Sequence, residues 1–224
     1  MTIITQPSRK NPVMPAVLFY LLIAVGAAAF LIQVAVGDAA KAWQAYLINF
    51  LLFSAIAQGA MLFSTLMHVT RARWSGPLSD LAEAFSAFFP ISFVLLLILF
   101  LGRETLFPWL HEDLHGKEVW LNMPFLMARD SLGLILLYGF GFAYLYHALW
   151  FKLQRRGASG PVALKLWRRW QQKPPDEDRY RQRMTVYAIL YLLSFALVLS
   201  LLGFDLVMSM DPHWYSTLFG AYSF

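Results

Sequence analysis

Hydroxyl, amide, imidazole and carboxyl side chains recur at helical spacing within stretches of this sequence that are otherwise apolar. Separations of 3, 4, 7 and 11 residues place such side chains on one face of a helix. Two faces of this kind occur, the first in residues 42–70 and the second in residues 184–210: Ser54, Gln58, Thr65, His68, and Tyr187, Tyr191, Ser194, Asp205. Polar groups in an apolar span are expected to face the bundle interior, where chains of them can relay protons.

More ionisable residues extend this set across the depth of a membrane. A helix rises about 1.5 Å per residue, so the position of a residue within its span predicts its depth in the membrane. By this measure some of these residues lie near one face of the bilayer and the others lie nearer the opposite face. We predict a proton path that uses His68, Glu83, Glu104, Asp130, Asp205, Tyr144, His147 and Gln58, with Arg103 and Arg129 as charge partners. The alternative is structural: Arg103–Glu104 and Arg129–Asp130 would be static ion pairs that lock helices together, and the tyrosines would be interface anchors.

Other site chemistries have weaker support. His68 and His147 lie at similar predicted depth, as a bis-histidine haem would require, but both are close to the membrane edge. His111, His115 and His213 match no metal-ligand spacing, and no phosphate-binding glycine loop or nucleophile–base motif is present. The absence of cysteine excludes disulfides, thiolate chemistry and cysteine-ligated iron–sulfur clusters in this chain.

The elements that position these side chains are membrane-spanning helices. The sequence is 59% hydrophobic and only 14% charged, whereas soluble domains average about 25% charged residues. We therefore predict an all-α polytopic membrane protein, a helix bundle of five full transmembrane helices plus the start of a sixth. The predicted segments are a tail at 1–12, spans at 13–36, 42–70, 82–102, 123–151 and 184–210, a basic loop at 152–183, and a sixth span starting at 212–224.

Local signals mark where these helices begin. Asp38 is a predicted N-cap for the second span, Asp80 and Glu83 a carboxylate-rich first turn for the third, and Asn122 the start of the fourth. Asp211 is expected to cap the sixth helix, with Pro212 at its first position. The first apolar run is interpreted as a retained helix; a signal peptide cleaved near Ala27–Ala29 is the alternative.

The distribution of basic residues predicts the orientation. Fourteen of the eighteen Lys and Arg residues lie in the N-terminal tail, the loop after the second span and residues 152–183. Because basic loops stay in the cytoplasm, the N-terminus is predicted to be cytoplasmic. The net charge of +5 comes mostly from residues 152–183, so it does not indicate nucleic-acid binding. Within that loop, residues 162–172 form an amphipathic helix that would lie on the inner leaflet or dock on a partner subunit.

Several blocks of sequence resemble a known family. Residues 208–220 read Met-Ser-Met-Asp-Pro-His-Trp-Tyr-Ser-Thr-Leu-Phe-Gly, and residues 63–74 read Phe-Ser-Thr-Leu-Met-His-Val-Thr-Arg-Ala-Arg-Trp. Shorter blocks are Ala-Glu-Ala-Phe at 82–85, Leu-Gly-Arg-Glu at 101–104 and Asn-Met-Pro-Phe at 122–125, followed by Arg129-Asp130. In this order they resemble the F-type membrane subunit of bacterial alternative complex III, a member of the NrfD-like, or polysulfide-reductase-type, family.

The resemblance implies a subunit of a quinol:cytochrome c (or other acceptor) oxidoreductase in the bacterial inner membrane. It implies that haem c and iron–sulfur clusters belong to partner subunits, that a paralogous NrfD-like subunit supplies the quinol site, and that this subunit carries a proton path but no redox centre. Family members are longer and have a second helix bundle, so we expect the natural chain to continue beyond Phe224. A purely structural docking subunit and an independent small transporter or channel are the alternative functions.

Overall fold

The computed structural model is that of an all-α protein. It describes residues 13–72, 74–112, 114, 116–158, 160–172, 176–211, 214 and 216–222. The N-terminal tail at 1–12 and four singled-out residues lie outside the described residues: His115, Pro212, His213 and Tyr215. The α-helices are α1 (Val13–Ala35), α2 (Ala39–Val69), α3 (Gly76–Ala84), α4 (Phe89–Leu99), α5 (Arg103–Leu106), α6 (Met123–Arg156), α7 (Pro161–Gln172), α8 (Glu177–Leu206) and α9 (Phe219–Tyr222).

Five helical segments are long and apolar enough to cross a membrane. They are α1, α2, the α3–α5 segment (Gly76–Leu106), α6, and α8 with its 3₁₀ extension to Met210. The predicted fold class is therefore confirmed as an all-α helical membrane bundle. Every backbone group within such a helix is bonded inside its own segment, which is why apolar helices are stable where no water is available.

Side-chain caps fix several helix ends where the sequence predicts them. The Asp38 carboxylate accepts a hydrogen bond from the Lys41 backbone N–H at 3.2 Å, and Asn122 caps α6 through the Phe125 N–H at 3.4 Å. Asp176 caps α8 in the same manner. Each cap satisfies an N–H group that the first helical turn leaves without a partner, so these starts could be predicted locally.

The third span differs from its prediction at both ends. It begins at Gly76 rather than residue 82, so Asp80 and Glu83 are not its first turn. It is also interrupted by 3₁₀ turns at Phe85–Phe88 and Phe100–Gly102. Pro90 explains the first interruption because it has no N–H to donate to the Ser86 carbonyl; the Phe89 N–H bonds that carbonyl instead, in a tighter turn.

The remaining span ends also differ from the sequence pattern. Helix α6 continues to Arg156 rather than residue 151, and α8 begins at Glu177 rather than residue 184. Helices can extend beyond the apolar core because backbone bonding continues into the polar boundary, so apolar runs underestimate helix length. After α8, the Trp214 N–H bonds the Asp211 carbonyl in a turn, and α9 begins only at Phe219. The Asp211 carboxylate also accepts a bond from the Trp214 N–H at 3.3 Å, as an N-cap does. No helix among the described residues begins at this point, and the predicted first position, Pro212, lies outside them.

The helices pack around α6 and α8, which form the most extensive pair, with α2 and α4 against them. Gly141 permits close approach here, because a Cβ at that position would be 3.0 Å from the Phe89 ring and 3.1 Å from the Tyr191 ring. In contrast, none of the residues in the most apolar window of α1 is buried, against 33–39% in the other four spans. Helix α1 touches the bundle through Phe30, whose ring lies 5.1 Å from that of Trp43.

Contacts between antiparallel helices define two ends of the bundle. We call the end where α2 and α6 end and α3 and α8 begin the basic end. We call the opposite end, where α5 and α8 end and α6 begins, the Asp205 end.

A second close approach, at Gly102, yields a stability prediction. A Cβ at Gly102 would overlap the Trp43 ring, which is 8% exposed and held against Phe30 and Tyr46. We expect Gly102→Ala to destabilise the bundle by about 1–3 kcal/mol through overpacking. Equilibrium unfolding in mixed detergent–SDS micelles measures this. Gly139→Ala is the matched control, because nothing lies within 4 Å of its Cβ position; equal stability of the two variants would contradict the prediction.

Candidate functional site

Polar side chains, most of them buried, form three clusters at different depths of the bundle. The basic-end cluster contains Ser64, His68, Asp80, Glu83, Tyr144 and Lys152. The middle cluster contains Ser54, Gln58, Ser92, Tyr138 and Tyr191. The Asp205 cluster contains Trp120, Arg129, Asp130, Asp205 and Ser209.

An ammonium group holds two carboxylates in the basic-end cluster. Lys152 Nζ lies 2.5 Å from Asp80 Oδ1 and 2.8 Å from Glu83 Oε2. Glu83 is only 5% exposed, so its charge depends on this cation and on the hydrogen bonds that it accepts. Helix α3 supplies both acids and α6 supplies the lysine, which makes the cluster an inter-helix contact.

A directed chain of hydroxyl groups ends on Glu83. Ser64 Oγ donates to Glu83 Oε1 at 2.8 Å, which uses the only hydroxyl hydrogen of Ser64. The Tyr144 hydroxyl must therefore donate toward Ser64, whose Oγ lies 3.2 Å away and whose carbonyl oxygen lies 3.3 Å away. The order Tyr144 to Ser64 to Glu83 points every O–H toward the carboxylate, an arrangement in which a proton can move by successive transfers.

The two histidines at this end have different surroundings. His68 Nε2 lies 3.0 Å from the Thr185 hydroxyl, which itself donates to the Arg181 carbonyl, so His68 Nε2 carries the hydrogen. Its ring packs against Tyr144 with centroids 5.8 Å apart. His147 donates from Nδ1 to the Ala143 carbonyl at 2.7 Å and lies within a group of tyrosine rings. No hydrogen bond between described residues joins His147 to the Glu83 chain.

A cleft gives access to Glu83 from outside the bundle. It has a volume of about 490 Å³, and its polar part is formed by Asp80, Glu83, Ser86 and Lys152. Phe142 and Leu149 line its apolar part. The buried carboxylate is therefore next to a space large enough for several water molecules.

The middle cluster is an uncharged hydrogen-bond network at the centre of the bundle. Gln58 Nε2 donates to the Tyr138 hydroxyl at 2.9 Å, and that hydroxyl lies 2.8 Å from Ser92 Oγ. Ser92 in turn lies 2.6 Å from Ser54, and Tyr191 donates to the Gln58 carbonyl at 2.9 Å. Gln58 Oε1 is buried and has no partner among the described residues, so one acceptor in this network is unused.

The Asp205 cluster contains a buried ion pair. Arg129 Nε lies 2.5 Å from Asp205 Oδ2, and Arg129 Nη2 lies 2.5 Å from Asp205 Oδ1. Trp120 supports both partners, because its indole N–H donates to Asp205 Oδ1 at 3.2 Å and its ring centroid lies 4.1 Å from the guanidinium carbon. The Arg129 side chain is 10% exposed and the Asp205 side chain 0%. Two-point contact of this kind is the strongest geometry for an arginine–carboxylate pair.

Asp130 lies in the same cluster without a cation of its own. It is 1% exposed, and neither carboxylate oxygen has a hydrogen-bond partner among the described residues. Its side chain lies against that of Asp205. The sequence interpretation that pairs Arg129 with Asp130 is wrong, because consecutive helix positions point in different directions and Arg129 bonds Asp205 on α8 instead.

A second cavity, of about 550 Å³, borders the Asp205 cluster. Trp120 and Ser209 line it, and each also bonds Asp205: Trp120 through the carboxylate, Ser209 through the backbone carbonyl at 2.5 Å. Phe204, Met208 and Trp214 form most of its apolar wall. Trp120 therefore contacts both the ion pair and this cavity.

The remaining predicted pair lies outside the bundle core. Arg103 Nε contacts Glu104 Oε1 at 3.2 Å, as the sequence predicts, but the two side chains are 48% and 62% exposed. Glu104 Oε2 also lies 3.5 Å from His111 Nε2. The expectation that Arg103 and Glu104 face the bundle interior is wrong, because helix α5 is short and ends in the loop at Phe107.

Sequence reasoning missed several contributors. Lys152 belongs to the segment that is predicted as a basic loop. Its predicted position at the same end of the bundle as Asp80 and Glu83 is nevertheless a signal for an ion pair between them. The sequence does not distinguish Ser64 and Ser92, because neither follows a helical spacing of polar residues more clearly than the residues around it. Trp120 lies in a loop, and nothing in its local sequence indicates that it contacts α8.

Known proteins were compared with the chain. No protein-family model matches it, and no curated protein sequence matches it. The family resemblance therefore rests on the sequence blocks described above.

The Arg129–Asp205 pair leads to a stability prediction, in which a buried ion pair is compared with an exposed one. Arg129→Met would leave Asp205 buried without its cation, so we expect a loss of about 3–5 kcal/mol in the free energy of unfolding. The double variant Arg129→Met/Asp205→Asn should lose less than the sum of its single variants, which measures the coupling. Equilibrium unfolding in mixed micelles gives all three values.

Arg103→Met is the matched control for this cycle. Its ion pair with Glu104 is exposed, so the change should cost no more than about 1 kcal/mol. If Arg129→Met and Arg103→Met were equally stable, the Arg129–Asp205 pair would not have the role assigned to it.

Proposed function

We propose that this chain is an integral membrane subunit of a respiratory quinol-oxidising complex of the alternative complex III type, located in the bacterial cytoplasmic membrane with its N-terminus in the cytoplasm. The support is the ordered set of sequence blocks, the five apolar helices and the distribution of basic residues. In this proposal the redox centres belong to partner subunits, including iron–sulfur and cytochrome c subunits and a paralogous NrfD-like subunit. The contribution of this chain is a route for protons.

The observation that carries the proton route is Asp130. Its carboxyl group is 1% exposed, no described residue gives it a cation or a hydrogen-bond donor of its own, and the neighbouring Asp205 is already paired with Arg129. We assign a proton to Asp130, since leaving a second charge unpaired in this apolar setting would cost several kcal/mol. Asp130 is thus a proton-holding group at the Asp205 end.

The basic end supplies the second half of the route. Protons would reach Glu83 through the cleft and pass into the bundle by way of Ser64 and Tyr144. This direction requires the hydroxyl groups of Ser64 and Tyr144 to turn round, so that a protonated Glu83 donates to Ser64 and Ser64 donates to Tyr144. On α6, Tyr144 and Tyr138 are separated by about 9 Å, and Tyr138 and Asp130 by about 12 Å. Direct transfer across such gaps is not feasible, so bound water must complete the route. The unused acceptor Gln58 Oε1 is suited to bind one of these waters.

Proton release per electron in the complete complex tests this function. The variants Glu83→Gln, Asp130→Asn and Asp205→Asn remove a proton-carrying group but keep similar volume. With the complex in proteoliposomes and quinol as donor, we expect fewer protons released per electron while quinol oxidation continues. Glu104→Gln is the control, since its carboxylate is exposed and outside the three clusters.

The other outcomes separate the competing functions. Unchanged stoichiometry in all three variants would refute the proton route. If the variants instead lost partner subunits during purification, while stoichiometry was normal in the complexes that still assembled, the chain would be a docking subunit. Function of the isolated chain in vesicles would favour an independent transporter.

A further inference from the structure

Helix α7 has one face docked on its own bundle and one face left outside. Trp170 is 4% exposed, and its indole N–H donates to the Tyr146 hydroxyl at 3.1 Å. Ala163, Leu166 and Trp167 pack in the same contact. The tryptophans of this amphipathic helix therefore pack against other helices of the same chain, and only the opposite face of α7 is available to another molecule.

The contact also places α7 beside the bundle rather than across its end. Its partners on α6 extend from Tyr146 to Leu153, about 10 Å along the helix axis. Tyr180 of α8 completes the contact, with its ring 5.5 Å from that of Trp150. Because α6 changes from apolar to charged residues at Lys152, we expect α7 to lie at the level where a bilayer changes from hydrocarbon to headgroups.

The outward face of α7 carries three cations. Lys165, Arg168 and Arg169 are exposed, and their spacing of three and four residues puts them on the side opposite Ala163 and Trp170. None of the described residues forms an ion pair with any of the three. The nearest acids in sequence are engaged elsewhere, since Asp176 caps α8 and Glu177 bonds Arg181 at 2.8 Å. The positive charge of this face is therefore not neutralised within the described chain.

We propose that this basic face of α7, formed by Lys165, Arg168 and Arg169, binds the headgroups of anionic phospholipids. Guanidinium groups match phosphate oxygens in two-point contacts, and the position beside α6 brings them to headgroup level. Each basic residue close to an anionic leaflet contributes about fivefold to the binding constant. This inference does not depend on the proposed proton route, and a surface for a soluble partner would be expected at the end of the bundle instead.

Lipid binding by the purified full chain tests the proposal. Native mass spectrometry in detergent would compare the binding of phosphatidylglycerol and phosphatidylcholine to the wild type and to Lys165→Gln/Arg168→Gln/Arg169→Gln. We expect a preference for phosphatidylglycerol that falls at least about tenfold in the triple variant. The matched control is Lys41→Gln/Arg103→Gln/Lys117→Gln, which removes the same charge from exposed positions at the Asp205 end and should keep the preference.

Two further measurements on the wild-type chain complement the comparison of variants. The wild-type preference should fall as sodium chloride is raised, and inorganic phosphate at equal ionic strength should reduce it no further, because the ligand is the headgroup at a lipid surface. The salt measurement can overturn the proposal even if the triple variant fails to fold, because a preference that is insensitive to salt does not come from charged headgroups on a basic face. Equal binding of the two lipids, an unchanged preference in a folded triple variant, or loss of a co-purifying protein with lipid preference intact would each overturn the proposal.

Discussion

The ion pair between Arg129 and Asp205 is the constraint around which the Asp205 end of this bundle is arranged. Both charges are almost completely removed from solvent, so each requires the other and the Trp120 indole that supports them. Buried ion pairs rarely add much net stability over apolar contacts, but breaking one is costly. We infer that its main effect is on specificity, because a two-point contact between Arg129 and Asp205 forms at only one rotation of α6 and one register of α8. Asp130 follows from that arrangement, since the rotation that brings Arg129 to Asp205 also buries its neighbour.

The buried polar side chains of the basic-end and middle clusters also require hydrogen-bond partners within the protein. At the centre, Tyr138 joins α6 to Gln58 of α2 and Ser92 of α4. Such hydrogen bonds lock helices together whether or not protons move along them, so most of the polar groups are accounted for by structure alone. Three groups are not: Asp130, Gln58 Oε1 and Trp109 Nε1 are buried polar groups that no described partner satisfies. Asp130 and Gln58 belong to the polar clusters, and hydrogen bonding between helices does not explain groups that make no such bond.

Local and non-local features differed in how far they could be predicted from sequence. Helix starts at Asp38 and Asn122 were predictable because a cap depends on a few adjacent residues. The membrane-spanning character of the chain was predictable because it depends on composition and length. The partner of Arg129 was not, since it depends on how α6 and α8 rotate against each other. The exposure of Glu104 was missed for a related reason: an apolar run does not show where a helix ends relative to the bundle surface.

The charged clusters at the two ends of the bundle contain the same number of cations and carboxyl groups, but they differ in how far they are exposed to water. Each has one cation and two carboxyl groups, Lys152 with Asp80 and Glu83 at one end and Arg129 with Asp130 and Asp205 at the other. If every group were ionised, each cluster would carry a net charge of −1. The basic-end cluster borders an open cleft, and Asp80 is 24% exposed, so water can solvate the surplus charge. At the Asp205 end both acids are at most 1% exposed. Because both acids are shielded from solvent, we propose that a proton bound to Asp130 neutralises the surplus charge and that it is released when the Arg129–Asp205 pair shifts.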